Sequence, residues 1–107
     1  MQYIIVLTTV GSRDDAERIV MSALKSRLAA CAQIYGPISS MFWWQGQIEE
    51  DEEWACLFKT KESLYKDLEE LIKREHPYEV PEIVAIPILM GFEPYLKWVD
   101  EETRRKA

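Results

Sequence analysis

Apart from its methionines, the chain carries only three soft ligand side chains: Cys31, Cys56 and His76. Thiolate and imidazole select copper or zinc, so metal binding is the sharpest chemistry on offer. Their spacing is not that of a metal motif. Cys31 follows Ala29 and Ala30, and Cys56 stands between Ala55 and Leu57, so both also read as small buried hydrophobes. Nucleophilic catalysis needs a base beside the nucleophile and a third group to orient that base. The single histidine, His76, instead precedes Pro77 at a predicted helix end, and no Ser/His/Asp arrangement is legible. With four glycines the chain has no glycine-rich phosphate loop. Gly11, Ser12 and Arg13 could receive an anion at a helix start, or form an ordinary strand-to-helix turn. The run Glu49, Glu50, Asp51, Glu52, Glu53 could collect hard cations weakly, but it lacks a calcium loop's geometry and reads as a solvated hairpin tip.

These residues must be positioned by elements that periodicity predicts. Tyr3 to Thr9 is a continuous apolar and β-branched run, as expected of a central strand. Ser12, with Asp15 three residues on, opens a helix whose inner stripe is Ala16, Ile19, Val20, Ala23, Leu24 and Leu28. From Cys31 to Trp44 the pattern is strand-like, broken at Gly36 and Pro37, and Gln45, Gly46, Gln47 turn the chain into a return strand. On that strand Trp54, Cys56 and Phe58 alternate with Ala55, Leu57 and Lys59, which completes a long hairpin. Thr60 is expected to cap a second helix with inner residues Leu64, Leu68, Leu71 and Ile72, stopped by Pro77. A last strand is expected from Ile83 to Met90, ended by Gly91. Pro94 then opens a terminal helix burying Tyr95, Trp98 and Val99, followed by a charged tail from Asp100 to Ala107.

The order β-α-β-β-α-β with an added helix predicts a single α+β domain over residues 1–107, a ferredoxin-like split βαβ sandwich with an antiparallel sheet. Such a sheet packs its helices on one face and leaves the other open. Phe42, Trp43 and Trp44 are consecutive, so aromatic side chains point to both sides of the hairpin. Apolar surface of that extent predicts a homo-oligomer, with coverage by the terminal helix as the alternative. The chain is 48% hydrophobic and 30% charged with a formal net charge of −6. That balance predicts a folded protein and argues against nucleic acid or an anionic membrane as partner. A start without a basic signal-peptide pattern, no apolar run of membrane-spanning length, and two isolated cysteines predict a cytoplasmic protein.

An ordered set of residues resembles the CutA family of divalent-cation tolerance proteins. It comprises Leu28, Ala29, Ala30, Cys31; Ser40, Phe42, Trp44, Gly46; Glu53; Lys59 with Thr60; His76, Pro77, Tyr78, Glu79; Pro81, Glu82, Ile83; and Tyr95 with Trp98. The match spans nearly the whole chain. Gly11, Phe42 and Gln33 depart from the family's usual proline, tyrosine and asparagine. The resemblance implies a homotrimer similar in architecture to the PII signalling proteins, linked to tolerance of copper or another divalent cation. Under that reading Cys31 and His76 are the candidate metal ligands, with Cys31 near a subunit boundary. A PII-like regulator is the alternative, binding a small molecule in intersubunit clefts through Trp44, Lys59, Tyr78 and Glu79. A hidden enzyme is the third possibility, and the missing nucleophile argues against it.

Overall fold

The computed structural model describes residues 1–105. β1 (Tyr3–Val10) leads into α1 (Arg13–Lys25), β2 (Cys31–Trp44) and β3 (Gln47–Lys61); a single 3-10 turn (Glu62–Leu64) precedes α2 (Tyr65–Glu75), followed by β4 (Val84–Ile88) and α3 (Glu93–Glu102). All strand pairs are antiparallel and the sheet order is β2-β3-β1-β4. This is the split βαβ arrangement: each helix-containing crossover returns two strands away, and the other half's strand fills the gap.

Alternation along β1 decides which side becomes core. Ile4, Val6, Thr8 and Val10 are buried, while Tyr3, Ile5, Leu7 and Thr9 are half-buried. The register sets Val6 beside Phe58, Thr8 beside Cys56 and Ile4 beside Thr60, so these side chains share the helix-packed face. Against them α1 buries Ala16, Ile19, Val20 and Ala23, and α2 buries Leu68, Leu71 and Ile72. Ser12 caps α1 by accepting from the Asp15 amide at 3.1 Å.

Several expectations need correction. Thr60 does not cap a helix: it is the penultimate residue of β3, and its buried hydroxyl, like that of Thr8, has no hydrogen-bond partner among the described residues. Threonine serves caps and strands alike, and here the strand runs on to Lys61. The last strand is shorter than expected, ending at Ile88. Of the terminal helix's expected core residues only Val99 is buried; Tyr95 and Trp98 remain 38% and 40% exposed. The last two residues of the charged tail, 106–107, lie outside the described residues.

β3 is 15 residues long and β1 only 8. β1 pairs with Trp54 to Lys61, so the pairs from Ile38↔Glu53 to Trp44↔Gln47 join β2 to β3 alone among the described residues. They form an arm of about 20 Å at the rise of an extended strand. The register slips between Tyr35 and Ile38 at its base. There Trp54 lies so close over Gly36 that a Cβ on residue 36 would overlap the indole. Gly36→Ala should therefore displace Trp54 and destabilise the protein by about 1–3 kcal/mol, as overpacking does. Urea unfolding followed by tryptophan fluorescence checks this, and an unchanged midpoint would show that the ring moves aside freely.

Candidate functional site

The second face of the sheet carries the remaining residues. Cys31 and Gln33 of β2 pair with Lys59 and Leu57 of β3, and Lys59 pairs with Ile5 of β1. Alternation puts all of them, with Lys61, opposite the α1 and α2 layer. α3 reaches this face at one end only. The Lys61 ammonium, 4% exposed, pairs with Asp100 Oδ1 at 2.7 Å and also donates to the Asp100 carbonyl at 3.3 Å. Cys31 Sγ lies 3.2 Å from the Tyr95 hydroxyl. Away from α3 the face stays apolar and uncovered, with Tyr35, Val84 and Ile86 exposed. Lys59 Nζ, near its middle, donates to Gln33 Oε1.

The two thiols differ sharply. Cys56 is fully buried, and desolvation pushes its thiol up to about 11. Cys31 is half-exposed at the start of β2. Burial, followed by the hydrogen bond with Cys31, pushes the Tyr95 phenol up to about 12. It therefore stays protonated near neutrality beside the sulfur.

His76 closes α2 and is buried. Its Nε2 lies 2.8 Å from the Thr9 carbonyl oxygen, and its Nδ1 accepts from the Tyr78 amide at 3.1 Å. A metal could bind there only by breaking one of these bonds. The Tyr78 hydroxyl donates to Glu53 Oε2 at 2.6 Å, and burial, then the Glu53 hydrogen bond, raises that phenol's pKa. Glu79 is exposed.

The structure does not bring the predicted metal ligands together within one chain. Cys31 pairs with Lys59, whereas Thr9, the partner of His76, pairs with Ala55. Those positions are four residues apart on β3, about 13 Å. Among the described residues no group of three or more His, Cys, Asp or Glu side chains could hold a metal ion. Nor do the cleft candidates converge: Trp44 pairs with Gln47 at the arm's end, twelve residues along β3 from Lys59, about 40 Å. Only different subunits could place them in one cleft. Sequence reasoning missed the Lys61–Asp100 pair and the burial of Glu53. With Thr60 expected to cap a helix, Lys61 had no place on the strand, and nothing local indicated that β3 would run on to it or that α3 would cover it.

Residues 4–102 match the family model for the CutA1 divalent ion tolerance protein. The chain belongs to this family. A divalent-cation tolerance protein CutA from Pyrococcus horikoshii is 45% identical over 102 residues, 95% of this chain and 99% of that one. The crystal structure of CutA1 from Oryza sativa superimposes with a TM-score of 0.96 at 38% identity, covering 99% of this chain and 97% of the other. A structure from Archaeoglobus fulgidus, described as a periplasmic divalent cation tolerance protein, gives 0.91 at 39% identity, covering 94% and 97%. The family thus has this split βαβ sheet and is named for tolerance of divalent cations, not for a reaction.

Two measurements follow from the geometry. With its pKa at about 11, Cys56 is about one part in a thousand thiolate at pH 8. Native protein should therefore take up one iodoacetamide per chain, at Cys31, and two once unfolded. Comparable labelling of Cys56 in the native state would show that β3 opens.

The Lys61 hydrogen bond, reinforced by the charges of Lys61 and Arg105, holds the Asp100 carboxyl below its ordinary range. A carboxyl depressed on folding adds stability above its unfolded value, and that contribution is lost as pH falls through the folded one. Asp100→Asn should lower the urea midpoint at pH 7, leaving Lys61 buried and unpaired. The gap from wild type should begin to narrow below about pH 4 and close only as pH falls through the depressed folded value. A gap that does not narrow at all on acidification through that range would assign the effect to packing.

Proposed function

We propose that this protein serves divalent-cation tolerance as a homotrimeric, non-catalytic metal-binding module, in which the Cys31 thiolate takes copper or another soft divalent cation. The carrying observation is the contrast between the thiols: Cys56 is sealed in the core, while Cys31 stands half-exposed on the uncovered sheet face. Soft thiolate ligands favour copper and zinc. One sulfur is not a closed site, and the donors among the described residues of a single chain do not complete one. A neighbouring subunit is therefore the source of the remaining donors.

Assembly is supported by the surface. Tyr35, Val84 and Ile86 on the open face, and Met41, Trp43, Trp44 and Ile48 on the arm, leave large apolar side chains in water. A two-stranded arm standing alone is marginally stable. Obligate interfaces that cover such surface commonly exceed about 2,000 Å² in total. Three copies closing around their sheets would bury the apolar part of the open faces, at Tyr35, Val84 and Ile86, and give each arm a partner. We place the protein in the cytoplasm, where two unpaired thiols persist; the Archaeoglobus relative is described as periplasmic.

Sedimentation equilibrium at micromolar concentration should return three chain masses, and Trp44→Asp should dissociate the particle. Cu²⁺ titration by calorimetry should show binding to wild type and to Cys56→Ser, weakened at least about tenfold in Cys31→Ser. Equal affinity in Cys31→Ser would exclude that ligand, and a folded wild-type monomer would exclude the assembly.

A further inference from the structure

The outer strand β4 is left bare on the side where α1 and α2 pack. Register sets Ala85 beside Val6 and Pro87 beside Ile4, on the core face, yet Ala85 and Pro87 stay exposed. Their small side chains leave a cleft of about 500 Å³ between β4 and the start of α2, within the size range of small-molecule sites. Ile4, Ala85 and Pro87 form its floor. The Tyr65 ring forms a wall, steadied by a hydroxyl that donates to Glu69 Oε2 at 2.8 Å. Three polar side chains complete the lining: Gln2, Glu62 and Lys66.

Backbone and side-chain bonds hold this frame in place before any ligand arrives. The Glu62 amide donates to the Gln2 carbonyl at 2.9 Å, tying the 3-10 turn to the start of β1. The Gln2 side-chain nitrogen donates to the Tyr3 and Ile88 carbonyls at 3.0 and 3.4 Å, tying β1 to β4. Gln2 Oε1 and the Glu62 carboxylate are left without partners among the described residues. Lys66 stands four positions after Glu62, a neighbouring place on a helix, but pairs with Glu69 instead, at 4.0 Å. Its side chain is 85% exposed, so the ammonium can turn to the cleft on its flexible stem.

We propose that this cleft binds a free α-amino acid with an apolar side chain. The ligand's ammonium sits on Glu62 and Gln2 Oε1, its carboxylate on Lys66, and its side chain over the floor beside Tyr65. Charge complementarity selects the class. A simple amine is repelled by Lys66 and a simple carboxylate by Glu62, whereas a zwitterion pairs both charges at once. The floor offers no polar side chain, so a charged or amide side chain would be desolvated there without a partner. The cleft lies on the helix side of the sheet, opposite Cys31 and Lys59, and is independent of the metal reading.

Methyl NMR of the native assembly at pH 7 tests this with L-leucine as the probe. Leucine should shift the Ile4 and Ala85 methyls to saturation with a Kd of about 1 mM or tighter, leaving Val84 and Ile86 on the open face unmoved. 3-Methylbutylamine lacks the carboxylate and 4-methylpentanoate lacks the ammonium; each should bind at least about threefold more weakly, as for the loss of an exposed ion pair. Lys66→Met should weaken leucine but spare the amine, and Glu62→Gln should weaken leucine but spare 4-methylpentanoate. Damage to the fold would weaken all three ligands together, so the crossed pattern is specific to the two charges. The proposal is overturned by an absence of saturation at about 20 mM leucine, by equal affinity for the three ligands, or by shifts centred on Val84 and Ile86. Unchanged leucine affinity in either variant would overturn it as well.

Discussion

The pairing of β1 with β3 fixes nearly everything else in this molecule. Strand side chains alternate, so a slip of one residue would carry Phe58 and Cys56 to the outer face and drive Lys59 and Lys61 into the helix layer. The observed register avoids that by matching Ile4, Val6, Thr8 and Val10 to the apolar half of β3. The same register delivers Cys31 and Lys59 to the opposite side. Core and candidate site are the two faces of one alternation.

What the sequence disclosed and what it hid divide along the range of the interactions. α1, α2 and the hairpin rest on local periodicity, and Leu68, Leu71 and Ile72 announced the inner stripe before any partner was known. Cys56 between Ala55 and Leu57 was legible as core for the same reason. The bonds that define the site's corner are long-range: His76 meets Thr9 across 67 positions, and Tyr78 meets Glu53 across 25. No local pattern encodes them. Glu53 in particular reads as one more charge in an acidic run, yet it is buried while its neighbours Asp51 and Glu52 are exposed. Tyr95 and Trp98 misled in the other direction. Their size suggested burial, but α3 is too short to cover the face it lies on, and both stay partly open.

Charge and apolar surface are segregated on the arm, and the two are linked. From Met41 to Trp44, β2 offers large apolar side chains, while the opposing β3 residues include Glu49 and Glu50. Across an antiparallel pair such neighbours do not reward each other as aromatic or opposite-charge pairs do. The arm's stability must come from outside its own two strands. The carboxylates meanwhile discourage indiscriminate edge pairing, a common way of protecting an exposed strand.

Trp54 resting on Gly36 has an evolutionary corollary. The indole fills the space a side chain at position 36 would need, and the Arg13 guanidinium lies 5.4 Å above the same ring. In any lineage descending from this sequence, a side chain at position 36 must displace the indole unless position 54 has already shrunk, and in either case position 13 loses the aromatic face beneath its cation. Sites separated by a whole crossover and a strand are thereby tied into one unit of inheritance, free to drift together and fixed when they drift alone.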